Sequence, residues 1–175
     1  MVIELAERFT VESTLASAWQ ALAQVPDPEI PVLSIVELGI VRGVTLEDEV
    51  VVVRVTPTYS GCPATDVIMA DIVLALRDGG FAKSRVDIVL APAWTTDAIA
   101  PEGKRKLKEF GIAPPGAAQS RVDVSGISRL RHARIECPRC GSTRTALIAQ
   151  FGSTSCKALY RCSACSEPFD YFKPH

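Results

Sequence analysis

Apolar residues recur along this chain with two periods, and the period changes wherever glycine or proline intervenes. In "LASAWQALAQV", Leu15, Trp19, Leu22 and Val25 stand three and four apart, which predicts a helix capped by Thr10 or Ser13 and ended by the proline-rich "VPDPEIP". "LSIVELGIVRGVTLEDEVVVVRVTPTY" then reads as two strands. Val50 to Val55 is dense in β-branched residues, and the acidic "LEDE" supplies a turn, so an antiparallel hairpin is the simplest pairing. Helical spacing returns in "CPATDVIMADIVLALRDGGF", where Val67, Ile68, Ile72 and Leu76 mark a buried face. Pro63 suits the first turn of that helix and Gly79-Gly80 its end. "RVDIVLAP" is a third strand, and "TTDAIAPEGKRKLKEFGI" a short turn plus a helix exposing Lys104, Arg105, Lys106 and Lys108. The order α-β-β-α-β-α predicts a small two-layer α+β domain over residues 1–110.

After Gly111 the helical pattern stops, and "GIAPPGAAQSRVDVSGISRL" carries the composition of a linker, residues 111–134. The remainder, residues 135–175, holds "TRTALIAQFG", "KALYRC" and "EPFDYF", short strands between cysteine pairs. This β-rich segment has too few apolar side chains to fold without a staple.

Composition keeps the chain among globular proteins: 175 residues, 47% hydrophobic and 22% charged. The first residues have no basic stretch followed by an apolar run, and nothing approaches the roughly 18 apolar residues of a membrane span, so a cytoplasmic location is expected. Thiols stay reduced there, and paired cysteines are metal ligands or redox groups before they are disulfides. Charge divides the chain more sharply than its total of -1 shows. Residues 1–110 hold 10 basic and 16 acidic residues, a net of -6, and residues 111–175 hold 9 and 4, a net of +5. Nine positive charges spread over 65 residues read as a solvated face rather than a nucleic-acid surface.

Five of the six cysteines lie in the last forty residues. The spacing Cys137-x2-Cys140-x21-Cys162-x2-Cys165 is that of a four-thiolate metal site, with an intervening stretch just beyond the roughly 15 to 20 residues usual for zinc. A two-residue gap lets both thiolates of a knuckle face one ion, Gly141 permits the chain to turn around it, and four soft ligands suit tetrahedral Zn, Fe or an Fe-S cluster. Cys156 is a fifth thiol beside Lys157, open to two readings, an exchangeable ligand or a small buried side chain. Cys62, in "TYSGCPATD", falls between a strand and a helix, where helix N-terminal amides favour a thiolate and packing is the alternative. Asp27 and Glu29 occupy a proline-stiffened loop as caps or solvated turn residues. His132 and His175 are isolated and read as surface histidines. No "GxSxG" and no phosphate-binding glycine loop occurs, so serine-hydrolase and NAD- or ATP-dependent chemistry finds no support.

Three stretches in this order, "DPEIPVLSIVELGIV", "TPTYSGCPATD" and "VDIVLAPAWTTDAI", resemble the iron-sulfur cluster assembly domain family over about residues 12–110. The tail "CPRCGS...FGSTSCKALYRCSACSEPFDYFKPH" resembles the PaaD family of phenylacetyl-CoA epoxidase accessory subunits. In the assembly-domain family the cysteine of the "GCP" motif is associated with cluster handling, which carries over to Cys62, and the "DPE" motif carries over to Asp27 and Glu29. Tails of this type generally read Phe-Lys-Cys, whereas here Lys173 is followed by Pro174 and His175, so the role of a further tail thiol is either lost or passed to His175. The resemblance implies a factor without catalytic activity of its own that assists iron or Fe-S assembly in the oxygenase or reductase of the epoxidase, in aerobic phenylacetate catabolism. An electron-transfer or structural zinc-ribbon component of the same complex is the alternative. The chain itself lacks the paired Glu-x-x-His motifs of a di-iron helix bundle and the dinucleotide loop of a reductase.

Overall fold

The computed structural model describes residues 2–59, 61–116 and 135–174, with side chains from Val11 onward. His132 and His175 lie outside the described residues. The chain divides into two compact units, Met1–Trp94 and Thr95–His175.

In the first unit, α1 (Val2–Leu22) precedes the loop of the "DPE" motif. The helix begins well before the residues expected to cap it, so Thr10 and Ser13 are interior positions, and the Ser13 carbonyl accepts the Ser17 hydroxyl at 3.0 Å. Strands β1 (Val41–Glu47) and β2 (Val50–Val55) form the expected antiparallel hairpin. Its turn places Asp48 and Glu49 at φ 47° and 64°, the left-handed region. Helix α2 (Thr65–Asp78) then crosses over to β3 (Ser84–Ile88), which pairs parallel to β2, giving the sheet order β1-β2-β3. The β-branched run buries on both faces: Val51, Val52, Val53 and Val55 are all buried. Ile68, Ile72 and Leu76 form the buried stripe of α2 at spacings of four.

Pro63 is not in the first helical turn. The Thr65 amide and hydroxyl both donate to the Cys62 carbonyl, at 3.3 and 2.9 Å, so residues 62–65 close a turn. The helix starts behind it with Ala64 as cap residue. A proline inside such a turn has no amide to lose and a φ already suited to it.

The second unit starts with a short 3₁₀ turn (Thr96–Ala98) and α3 (Pro101–Phe110), closed by Gly111 at φ 90°. Of the four cations read as exposed on α3, Arg105 and Lys108 are exposed, and Lys104 and Lys106 are half-buried. Ile112 and Ala113, within the stretch read as linker, form β4, which pairs parallel to β7 (Pro168–Phe172). Strands β5 (Thr145–Ala149) and β6 (Lys157–Cys162) complete a four-stranded sheet in the order β4-β7-β6-β5. The three tail strands fall in the three apolar stretches expected from the sequence. Their core is small: Ala113, Ile135, Cys137, Ala158, Cys162, Phe169 and Tyr171. Tyr160 stacks on Phe169 and meets Tyr171 edge-on.

Candidate functional site

Two knuckles position the four paired cysteines of the second unit. In the first, the Gly141 amide donates to the Cys137 carbonyl and the Cys137 amide to the Ser142 carbonyl, each at 2.9 Å, with Gly141 at φ 73°. A side chain there would be strained, the reason for glycine after the second ligand. In the second, the Cys162 amide donates to the Glu167 carbonyl at 2.9 Å, and Ser166 takes the left-handed conformation at φ 65°. The Ser163 amide donates to the Arg144 carbonyl at 2.7 Å, tying this knuckle to the residue before β5.

The result is a set of four Sγ atoms, those of Cys137, Cys140, Cys162 and Cys165, all within 4.8 Å of one another. Cys137 and Cys165 are 3.8 Å apart, and Cys140 and Cys162 3.6 Å. A tetrahedron with metal–sulfur bonds of about 2.3 Å has edges of about 3.8 Å, so the spacing is that of a closed four-thiolate site. The thiols do not share one acidity. The Cys165 amide, opposed by desolvation and joined by the Ala164 amide, brings Cys162 down to about 6. For Cys140 the Ser142 amide lowers the value, but the neighbouring Cys162, desolvation, Cys165 and Cys137 outweigh it and push the thiol up to about 12. The Glu167 amide likewise lowers Cys165, and desolvation together with contacts to Cys162 and Cys137 leaves it raised. Four thiols at this distance cannot all ionise alone, and a divalent cation is what lets them.

Cys156 does not join this set. It lies just before β6, and Cys162 ends that strand, so about 20 Å of extended chain separates the two at roughly 3.3 Å per residue. Cys156 is buried, with its Sγ 3.1 Å from the Thr154 hydroxyl oxygen. The adjacent Lys157 ammonium is buried as well and lies 3.9 Å from an Asp170 carboxylate oxygen.

Cys62 sits in the first unit, half-buried, in a cleft lined by Asp27, Leu38, Ile40, Val55, Pro57, Thr58, Thr65 and Ile68. It stands three residues ahead of α2 rather than at its cap, with its own amide donating to the Tyr59 carbonyl at 3.2 Å. Asp27 is buried, and its Oδ1 accepts the amides of Glu29 and Ile30 at 2.9 and 2.8 Å. Its amide donates to the Leu33 carbonyl at 2.8 Å, so the loop is closed from both sides. Glu29 is half-buried on the same loop and is not among the lining residues. Sequence reasoning singled out Asp27 and Cys62 one by one but not Thr58 and Thr65, whose hydroxyl-bearing side chains line the same cleft. Neither threonine stands in a pattern that marks it.

The chain is similar to known proteins over both units. A family model described as "Iron-sulfur cluster assembly protein" matches residues 15–89, and one described as "PaaD zinc beta ribbon domain" matches residues 122–173. The crystal structure of a domain of unknown function, DUF59, from Bacillus anthracis superposes with a TM-score of 0.54 at 27% identity, covering 57% of this chain and 96% of that one. The class of protein is thus an iron-sulfur cluster assembly-type α+β domain followed by a β-rich module with four clustered cysteines. A protein of Escherichia coli (strain K12), named as a putative component of the 1,2-phenylacetyl-CoA epoxidase, is 49% identical over 155 residues, 89% of this chain and 90% of that protein. The chain belongs to the PaaD family of phenylacetyl-CoA epoxidase components. The "Fe-S protein maturation auxiliary factor YitW" of Bacillus subtilis (strain 168) is 41% identical over 81 residues, 45% of this chain and 78% of that protein. Among the described residues, no helix is long and apolar enough to cross a membrane.

Proposed function

We propose that this chain is an accessory maturation factor of a phenylacetyl-CoA 1,2-epoxidase, handling iron or an Fe-S cluster for the oxygenase or reductase components at Cys62. The observation that carries the reading is the cleft in which Cys62 and the buried Asp27, thirty-five positions apart in the sequence, meet. One cysteine in a cleft is a transient ligand by number. A single thiolate leaves most positions of an iron centre to other donors, so cargo bound through it is exchangeable, whereas four thiolates close a site. Release is ligand exchange, the iron–Sγ bond of Cys62 giving way to a bond between iron and a ligand of the client, with no net electron transferred. Asp27, tied down by two backbone amides, holds the adjoining loop in place beside the thiol.

Cys137, Cys140, Cys162 and Cys165 are the ligands of a zinc ion that cross-links the two knuckles and supplies folding energy to a module with a small core. Iron accepts the same four thiolates, and in that case the ribbon is an electron carrier. Absorbance in the visible region and a reversible redox wave of anaerobically purified protein, with elemental analysis, separate the two.

The maturation reading is tested by producing the oxygenase and reductase with the intact chain, with Cys62→Ser, and without it. Lower iron content and turnover are expected in the last two cases, with the ribbon metal of Cys62→Ser unchanged. Components that carry full iron and turn over normally in the absence of the chain overturn the reading. The chain by itself is expected not to oxidise phenylacetyl-CoA with any reductant.

A further inference from the structure

Two sulfur–sulfur contacts under 4 Å join the knuckles of the ribbon. Cys137 of the first knuckle lies 3.8 Å from Cys165 of the second, and Cys140 of the first lies 3.6 Å from Cys162 of the second. The members of these pairs differ in access. Cys137 and Cys162 have no exposed surface, Cys165 is half-buried, and Cys140 is exposed. A dissolved oxidant therefore meets the Cys140 sulfur first, and the sulfur 3.6 Å from it belongs to the opposite knuckle.

A thiolate attacked by a peroxide becomes a sulfenic acid, and a second thiol within reach condenses with it to a disulfide. Sulfur atoms in a disulfide are about 2.05 Å apart, so Cys140 and Cys162 have to close by about 1.5 Å. The product holds the same parts together as shared ligation does. Cys140 and Cys162 lie 22 positions apart and enclose β5 and most of β6. A covalent bond between them closes the loop that the metal closes, so the hairpin stays cross-linked when the metal leaves. Cys156 takes no part, being buried and about 20 Å of extended chain away from Cys162.

We propose that the ribbon is a peroxide-sensitive switch, in which oxidation at Cys140 releases the metal and leaves the two knuckles joined by a Cys140–Cys162 disulfide. The step balances. Two thiolates give up two electrons and one S–S bond forms, while the O–O bond of hydrogen peroxide breaks and, with two protons from solvent, yields two waters. Cys137 and Cys165 stay reduced, leaving two donors where zinc takes four, so the ion is lost. A dithiol reductant reverses the step by thiol–disulfide exchange and restores the four ligands. The switch rests on the zinc reading of these four thiols and not on the maturation reading.

The test starts from the zinc content of the full-length chain and of Cys62→Ser, which lacks the half-buried thiol of the other unit. One equivalent of hydrogen peroxide is then added, zinc release is followed with a chromogenic chelator, and disulfides are mapped by mass spectrometry of unreduced peptides. Release of zinc together with a Cys140–Cys162 disulfide is expected, with Cys156 still reduced. Cys140→His keeps a zinc ligand but removes the accessible sulfur, and should release zinc about tenfold more slowly or less. Tyrosine near-ultraviolet dichroism should persist in the oxidised chain, whereas chelation of the reduced chain removes it. Retained zinc, a Cys137–Cys140 disulfide, a disulfide between chains, or sulfinic acid at Cys140 in place of a disulfide overturns the proposal. So does zinc-loaded Cys140→His that releases its metal at the parent rate. Should that variant hold no zinc, the disulfide map of the parent chain decides by itself. Iron in place of zinc, found before any peroxide is added, removes the zinc reading and the switch with it, whereas failure after that point removes the switch alone.

Discussion

Cys140 is the exposed member of the four-thiol set, while Cys137 and Cys162 are fully buried. Exposure does not make it dispensable, because each knuckle contributes two of four ligands and a hydroxyl is a poor substitute for a thiolate. Cys140→Ser is expected to lower metal occupancy and loosen the ribbon. Full occupancy by elemental analysis would refute the assignment. Gly152 is constrained by space rather than by φ. A Cβ there would lie 2.5 Å from the Asp170 carboxylate oxygen and 3.4 Å from the Ala158 carbonyl carbon. Asp170 is held by Ser153 and Lys157 and so is not free to retreat. Gly152→Ala is therefore expected to destabilise the metal-loaded ribbon by about 1–3 kcal/mol, measured by denaturant unfolding followed through the ribbon tyrosines.

Among the elements, α2 shows how one helix serves two purposes. Ile72 and Leu76 have no exposed surface and are part of the apolar core of the first unit, while Val67, Val73 and Leu74 are exposed. Substituting neighbours should therefore have unequal effects. Ile72→Ala is expected to cost about 2–5 kcal/mol, as cavity-forming core changes do. Val73→Ala, one position along, should change stability by no more than about 0.5 kcal/mol. Denaturant melts of the two variants side by side check the contrast, and equal losses would mean that the exposed face of α2 is covered.

For the molecule as a whole, the two units differ in what holds them together. The first buries many large apolar side chains, Leu22, Leu33, Ile35, Leu38, Ile72 and Leu76 among them, and the second has a small core beside a thiol cluster. Both tryptophans, Trp19 and Trp94, belong to the first unit, and Trp94 is anchored by its indole N–H donating to the Leu38 carbonyl at 3.0 Å. Chelation is expected to remove the tyrosine near-ultraviolet dichroism of the ribbon while tryptophan fluorescence stays unchanged. A matching loss of the tryptophan signal would show the first unit to depend on the metal. Acid acts in the same direction as chelator. Ligation needs thiolates, so binding releases protons, and apparent affinity rises with pH and falls as pH drops. Cys162, already down at about 6, is the last of the perturbed thiols to be protonated, and Cys140, pushed up to about 12 without metal, gives up its proton to solvent as the ion binds. Metal release followed with a chromogenic chelator as pH is lowered checks the sign.

Much of this was legible in the sequence because it is local. The helical spacing of Ile68, Ile72 and Leu76, the β-branched run from Val50 to Val55 and the two Cys-x2-Cys gaps each act within one or two turns of chain or a single knuckle. The extent of α1 was not, since the residues that can cap a helix also occur within one, and neither was the placement of Pro63 in a turn instead of a helix. What only the tertiary structure decided are the long-range meetings. β3 lies parallel beside β2, Asp27 and Cys62 line one cleft, Lys157 reaches Asp170, and Cys156 stands at the far end of β6 from the thiol set it was a candidate to join. The bulge at Ile148 depends on its partner residues Leu159 and Tyr160, eleven and twelve positions away in sequence. Periodicity and ligand spacing are short-range properties of a chain, whereas these contacts arise only once strands pair and buried faces close, which no local pattern records.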